Sequence, residues 1–157
     1  MTADALRAMI PSLPILYFDD LALGQKASLM RTVMDNDLHL FAEVSGDMNP
    51  IHISDSFAAR TKFGQRIAHG MFTASLVSAL LGTRPPGPGA VYLSQTIQFL
   101  APVRIGDVVT AHVEVVELIA ERRRARLFCE CICDGRAVLE GEAWVAVDGR
   151  PALAVSA

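Results

Sequence analysis

The chain has 157 residues, 52% of them hydrophobic and 20% charged, with a formal net charge of -3. That length suits a single domain, residues 1–157, with a real hydrophobic core. The balance excludes a disordered chain and argues against nonspecific nucleic-acid binding. So apolar a composition in a small chain predicts an oligomer interface, an apolar tunnel, or both.

Nothing at the N-terminus reads as a secretory signal, because Met1 to Ser12 carries Asp4 and Arg7 and is broken by Pro11. No apolar run is long enough to span a membrane, so no membrane association is expected. Residues Leu16 to Leu23 form a lead-in, and Gln25 to Val33 reads as a strand. The polar cluster Asp35-Asn36-Asp37 starts a helix whose apolar positions Leu38, Phe41, Ala42 and Val44 carry it to Ser45. His39 falls on that helix as a surface or capping group. Ser54 is an N-cap candidate for a second short helix over Ser56 to Thr61, stopped at Gly64.

Gly70 to Leu81 is the most apolar helix of the chain, closed by Gly82 ahead of Pro85 and Pro86, and it reads as buried all round. Four segments rich in β-branched and aromatic residues follow: Ala90 to Phe99, Asp107 to Leu118, Arg123 to Cys133 and Arg136 to Val147. Gly106-Asp107, Asp134-Gly135 and Asp148-Gly149 mark turns of an antiparallel meander. One long helix against one such sheet is a two-layer α+β domain. Cys129, Cys131 and Cys133 alternate on one strand and share a face. With no histidine or further cysteine nearby in sequence they read as small buried hydrophobes rather than metal ligands, which fits a reducing, cytoplasmic location.

Two places carry chemistry. In Ser45-Gly46-Asp47-Met48-Asn49-Pro50-Ile51-His52 a carboxylate and an imidazole stand five positions apart in an irregular loop, since Pro50 pushes Asn49 out of the α region and Gly46 permits a sharp turn. Such a pair moves protons near neutral pH; the same residue types also build ordinary capping turns. At His69-Gly70 the start of the apolar helix presents unpaired amides that suit a developing oxyanion, or else Gly70 simply lets the loop turn. Ser75 and Ser78 lack the glycine-flanked elbow of a serine hydrolase, and Ser78 reads instead as a group that orients Asp47. Arg122, Arg123, Arg124 and Arg126 form a basic run that is either a solvated strand face, with Glu114, Glu117, Glu121 and Glu130 as partners, or a phosphate contact.

The residues Phe41, Val44, Ser45, Gly46, Asp47, Asn49, Pro50, Ile51, His52 and Ala58 resemble the motif of the hydratase 2, or MaoC-like, family of hot-dog proteins. The likeness continues through Ile67-Ala68-His69-Gly70-Met71, the Ala74 to Ser78 helix and Tyr92-Leu93-Ser94-Gln95. It implies a single hot-dog module, a five-stranded antiparallel sheet wrapped around a central helix, paired as a homodimer. The implied activity is R-specific hydration of a trans-2-enoyl-CoA to the R-3-hydroxyacyl-CoA, with its reverse, in polyhydroxyalkanoate supply. No metal or redox cofactor is implied. Asp47 and His52 hold the water, the Gly70 amide polarises the thioester oxygen, and Ser78 matches the family's serine that steadies the aspartate. A thioesterase on the same fold would need an acidic residue on the central helix, which Gly70 to Gly82 lacks, and a noncatalytic acyl-binding subunit would not need both reactive groups.

Overall fold

Residues 2–10 and 13–151 are described here from a computed structural model of the chain. A short helix α1 (Ala3–Met9) and a 3-10 turn (Phe18–Asp20) lead into β1 (Lys26–Thr32). Then come α2 (Asp35–Ser45), two one-turn helices, α3 (Pro50–Ile53) and α4 (Asp55–Ala58), and the long helix α5 (Gly70–Thr83). Strands β2 (Val91–Phe99), β3 (Val108–Ile119), β4 (Arg124–Cys133) and β5 (Arg136–Ala146) complete the chain. All five strands join one antiparallel sheet in the order β1-β3-β4-β5-β2. The α+β architecture is the one the sequence implies.

Period-2 patterning explains the sheet. On β3 and β4 buried and partly exposed residues alternate, so Val109, Ala111, Val113 and Val115 share an inner face with Ala125, Leu127, Cys129, Cys131 and Cys133. The three cysteines are free and buried, as their alternation predicts. Asp134 and Gly135, both at positive φ (48° and 74°), turn β4 into β5, the backbone such two-residue hairpins favour. At Gly141 the next strand comes closest, and a Cβ there would stand 1.9 Å from the Thr96 carbonyl oxygen.

Helix α5 packs against β1, β3 and β4. Leu76, Val77, Leu80 and Leu81 join the strands' inner residues in one core, and the Cys131 thiol reaches the Thr73 carbonyl at 3.7 Å. Two expectations for this helix change. Gly82 does not close it: the helix runs on to Thr83 and ends where Arg84 is extended (φ −123°, ψ 175°), the conformation Pro85 imposes on its predecessor. Nor is α5 buried all round, because Met71, Ser78, Ala79 and Gly82 form an exposed stripe in the single chain.

The segment before α5 also differs in detail from its sequence reading. The expected helix over Ser56 to Thr61 is the single turn α4, capped by Ser54, whose hydroxyl accepts the Phe57 amide at 3.3 Å. His52 lies on a helical turn rather than in irregular loop, because Pro50 at the first helical position has the φ a helix start needs.

Candidate active site

The Asp47 loop is built from short-range bonds between small polar residues and nearby amides. Helix α2 ends at Gly46, which adopts φ 77° and donates its amide to the Ala42 carbonyl at 2.9 Å. The Ser45 hydroxyl then accepts the Asp47 amide at 3.2 Å, Asp47 Oδ1 accepts the Asn49 amide at 3.2 Å, and Asn49 Oδ1 accepts the Ile51 amide at 3.2 Å. Each acceptor stands two residues before its donor, the habit of Asx and Ser turns. Turn chemistry and a reactive geometry are thus the same structure here. The last bond caps α3 and sets His52 one turn inside the protein, 8% exposed.

Two contacts across the chain complete the arrangement. His52 Nδ1 lies 2.8 Å from the Ile67 carbonyl. A carbonyl accepts only, so Nδ1 carries the proton, and in the neutral ring Nε2 keeps its lone pair. His69 Nε2 lies 3.0 Å from the backbone carbonyl of Asp47, and its ring centroid is 3.9 Å from that of His52. Phe41 also packs on the His69 ring, with centroids 5.0 Å apart. Burial pushes the His69 pKa below its ordinary value; the bond to the Asp47 carbonyl works against that shift, and the nearby His52 adds to it.

His69 is the residue just before α5, and Gly70 opens the helix with no acidic side chain in its first turn. The Gly70 amide is therefore one of the unpaired donors at the positive end of a 14-residue helix. A Cβ at Gly70 would stand 2.9 Å from the Phe99 ring, so the space a side chain would take is already filled. Asp47, His52 and Gly70 line one cleft of about 430 Å³, whose walls include Phe63, Ile67, Met71, Phe99, Leu100 and Val138. A carboxylate, an imidazole and a helix-end amide thus meet in a mostly apolar hollow.

The pattern of the MaoC like domain matches residues 22–127. The chain belongs to the MaoC-like family. It is 60% identical over 139 residues to the 3-hydroxybutyryl-CoA dehydratase of Methylorubrum extorquens, covering 88% of each chain. To the (R)-specific enoyl-CoA hydratase of Rhodospirillum rubrum it is 49% identical over 134 residues, 85% of this chain and 93% of the relative. Among solved structures, the R-hydratase PhaJ1 of Pseudomonas aeruginosa superposes with a TM-score of 0.83 at 36% identity, covering 90% and 97% of the two chains. The (R)-hydratase of A. caviae gives 0.80 at 42%, covering 82% and 98%. With these neighbours the α+β architecture is the hot-dog fold.

Within this MaoC-like chain, the remaining candidates are placed as follows. Ser78 lies two turns into α5 on the exposed stripe, and the bond that Asp47 Oδ1 accepts comes from Asn49. No described hydrogen bond joins Ser78 to Asp47 in the single chain. The Ser75 hydroxyl bonds back to the Phe72 carbonyl at 2.6 Å. His39 is an exposed group 3.6 Å from Asp35. Arg126 is held between Glu117 and Glu142, which favours the solvated-strand reading of the basic run.

Among the described residues, two clusters have the spacing of cation ligands. In each of the sets Asp47, His52, His69 and Asp107, Cys133, Asp134, the ligand-capable atoms lie within 4.8 Å of one another. In the first set two imidazole nitrogens are engaged by carbonyls. In the second, burial pushes the Cys133 thiol up to about 11, and a thiol ligates well only as thiolate. Sequence spacing did not reveal the Ile67 and Asp47 carbonyls as partners of His52 and His69, nor Phe99 against Gly70. These contacts span 15, 22 and 29 positions, and the one available signal was the His-Gly pair opening the apolar helix.

The loop after α4 is anchored by Arg66. Its guanidinium, 12% exposed, meets Asp55 at 2.7 Å and Asp35 at 2.6 Å. The bond to Asp55 is the main cause that holds its pKa above the ordinary arginine value. Ile67, whose carbonyl receives the His52 proton, is the next residue.

Proposed function

We propose that this chain catalyses the reversible, R-specific addition of water to a trans-2-enoyl-CoA, giving the R-3-hydroxyacyl-CoA. The observation that carries the reading is the shared cleft of Asp47, His52 and the start of α5. His52 keeps Nε2 free as an acceptor because Nδ1–H is committed to Ile67. Nε2 and the Asp47 carboxylate hold one water between them. The water oxygen bonds to C3 of the enoyl group as one of its O–H bonds breaks. The proton passes to the pair, and the pair returns one proton to C2, so the elements of a single water are added.

Electron density pushed from C3 through C2 collects on the thioester oxygen. The Gly70 amide, at the positive end of α5, donates to that oxygen, and one such donor is worth about 3 kcal/mol in the transition state. Because the same two side chains deliver hydroxyl and proton, both arrive on one face of the double bond, which makes the addition syn. The apolar walls receive the acyl chain and strengthen these polar contacts by excluding water.

Three finer readings go with this one. The exposed stripe on α5 and the exposed apolar residues of β2, Val91, Tyr92 and Leu93, favour a homodimer. Three reduced, buried thiols suit a cytoplasmic protein, and no described helix is long and apolar enough to cross a membrane. The R-3-hydroxyacyl-CoA product has the chemistry of a polyhydroxyalkanoate precursor.

The test is to mix purified protein with crotonyl-CoA, follow loss of the conjugated enoyl thioester, and determine the configuration of the 3-hydroxybutyryl product. The R product is expected. Release of free CoA thiol without hydration, or an S product, would sink the reading.

A further inference from the structure

His69 does not line the cleft, yet it touches each part of the site behind it. It is 2% exposed. Its Nε2 stands 3.0 Å from the Asp47 carbonyl, its ring lies 3.9 Å from the His52 ring, and its own backbone is the cap residue from which Gly70 starts α5. Phe41, from α2, closes the other contact to the ring and in turn packs edge-on against Phe72 of α5, with centroids 6.1 Å apart.

The geometry points to His69 as the positioning residue of the hydration, the group that fixes Asp47, His52 and the Gly70 amide relative to one another. The inference rests on the hydratase reading above. It gives this imidazole a role different from that of His52, which meets the water itself.

The tautomer follows from the partners. A backbone carbonyl accepts only, so His69 must carry its proton on Nε2. Nδ1 is buried without a partner; as a bare lone pair it leaves no donor unpaired, whereas the opposite tautomer would bury an unpaired N–H and leave the Asp47 carbonyl without its donor. Burial also favours the neutral ring, which disfavours a second positive charge facing His52 while that ring handles a proton. Asp47 sits on an exposed turn whose other bonds are all local. Among the described hydrogen bonds, only the one from His69 ties that turn to the start of the helix that carries the oxyanion donor. Misplacement of reacting groups by about 1 Å is enough for roughly a hundredfold loss of rate.

Two variants separate positioning from mere packing. His69→Phe keeps a ring between Phe41 and His52 but has no N–H for Asp47. His69→Gln keeps an N–H donor but loses the ring. With crotonyl-CoA, His69→Phe is expected to lower kcat by at least about tenfold while KM stays within about threefold, because no substrate contact is removed. His69→Gln is expected to retain more kcat than His69→Phe although it melts at a lower temperature.

A purely structural role predicts the reverse, with kcat following melting temperature. That ordering, or wild-type kcat in His69→Phe, would overturn the inference. Nitrogen-15 histidine spectra of the wild-type chain decide the case even if both variants fail to fold: an Nε2–H tautomer at His69 supports the inference and an Nδ1–H tautomer ends it. Should the wild-type protein not hydrate crotonyl-CoA at all, the hydratase reading fails, and the tautomer still decides whether His69 holds the Asp47 turn.

Discussion

Between Val108 and Ala146 three strands are held by ladders whose partners are fixed by register, whereas from Gly46 to His69 the chain is held mainly by single side-chain bonds, some to nearby amides and some to distant groups. The inner residues of these strands are apolar and share one core, so each is backed by neighbours of the same kind. The segment has no such redundancy: Asp47, Asn49, His52, Arg66 and His69 each make a bond that no neighbour duplicates. Stability therefore resides mainly in the sheet and helix α5, and chemistry in the segment laid against the start of that helix. Substitutions should divide accordingly, toward lost rate in one region and lost stability in the other.

The largest expected effect breaks the chemistry alone. Asp47→Asn keeps the shape of the side chain and an oxygen for the Asn49 amide, but it removes the carboxylate from the cleft. Turnover of crotonyl-CoA is expected to fall by about 10²- to 10⁴-fold, the range for losing a general acid or base. The melting temperature is expected to move little, because exposed polar substitutions are typically within about 0.5 kcal/mol. Equal turnover in variant and wild type would remove Asp47 from the mechanism.

Gly141→Ala is the counterpart in the sheet. Its new Cβ would meet the Thr96 carbonyl at 1.9 Å, a backbone atom that cannot swing aside, so β5 and β2 must separate locally. A loss of about 2–3 kcal/mol is expected, which for a chain of this size lowers the melting temperature by roughly 5–10 °C. Activity per folded molecule at low temperature should stay near that of wild type. An unshifted unfolding midpoint would mean that β2 leaves room for a side chain at position 141.

The same contrast explains which parts were readable in the sequence. Strands β3 to β5 follow from alternation and from the Asp134-Gly135 turn, because a period of two is a local property and the buried face repeats it. Helix α5 was readable as an element but not at its end or on its surface. Gly82 suggested a stop that Pro85 actually enforces, and an apolar sequence cannot show that Met71 and Ala79 face outward in one chain. Asp47 and His52 stood out because they are five positions apart, and the Gly70 amide because it opens the apolar helix, with the resemblance deciding between an oxyanion donor and a simple turn. The contacts of His69 and Phe99 were not readable, since they depend on how the segment folds back over α5. Ser78 read as a partner for Asp47 from its place on the helix and from the likeness, yet the bond Asp47 Oδ1 accepts comes from Asn49.

The smallest expected effect sharpens the sheet side of the comparison through pH. Burial raises the thiols of Cys129 and Cys133 to about 11 and that of Cys131 to about 12, from an ordinary 9.0. Below pH ~8 the thiols are neutral in both folded and unfolded chains, and they add no pH dependence. Above it the unfolded chain releases protons that the folded chain still holds, so folding stability falls as pH rises toward the folded values. The three thiols together should remove roughly 1 kcal/mol by pH ~9, measured as a lower urea midpoint than at neutral pH. The native protein should also resist a thiol reagent at neutral pH and react at all three cysteines once unfolded, since the thiolate is the nucleophile. Prompt labelling of the folded chain would show that β4 opens far more readily than its packing against Thr73 and the core allows.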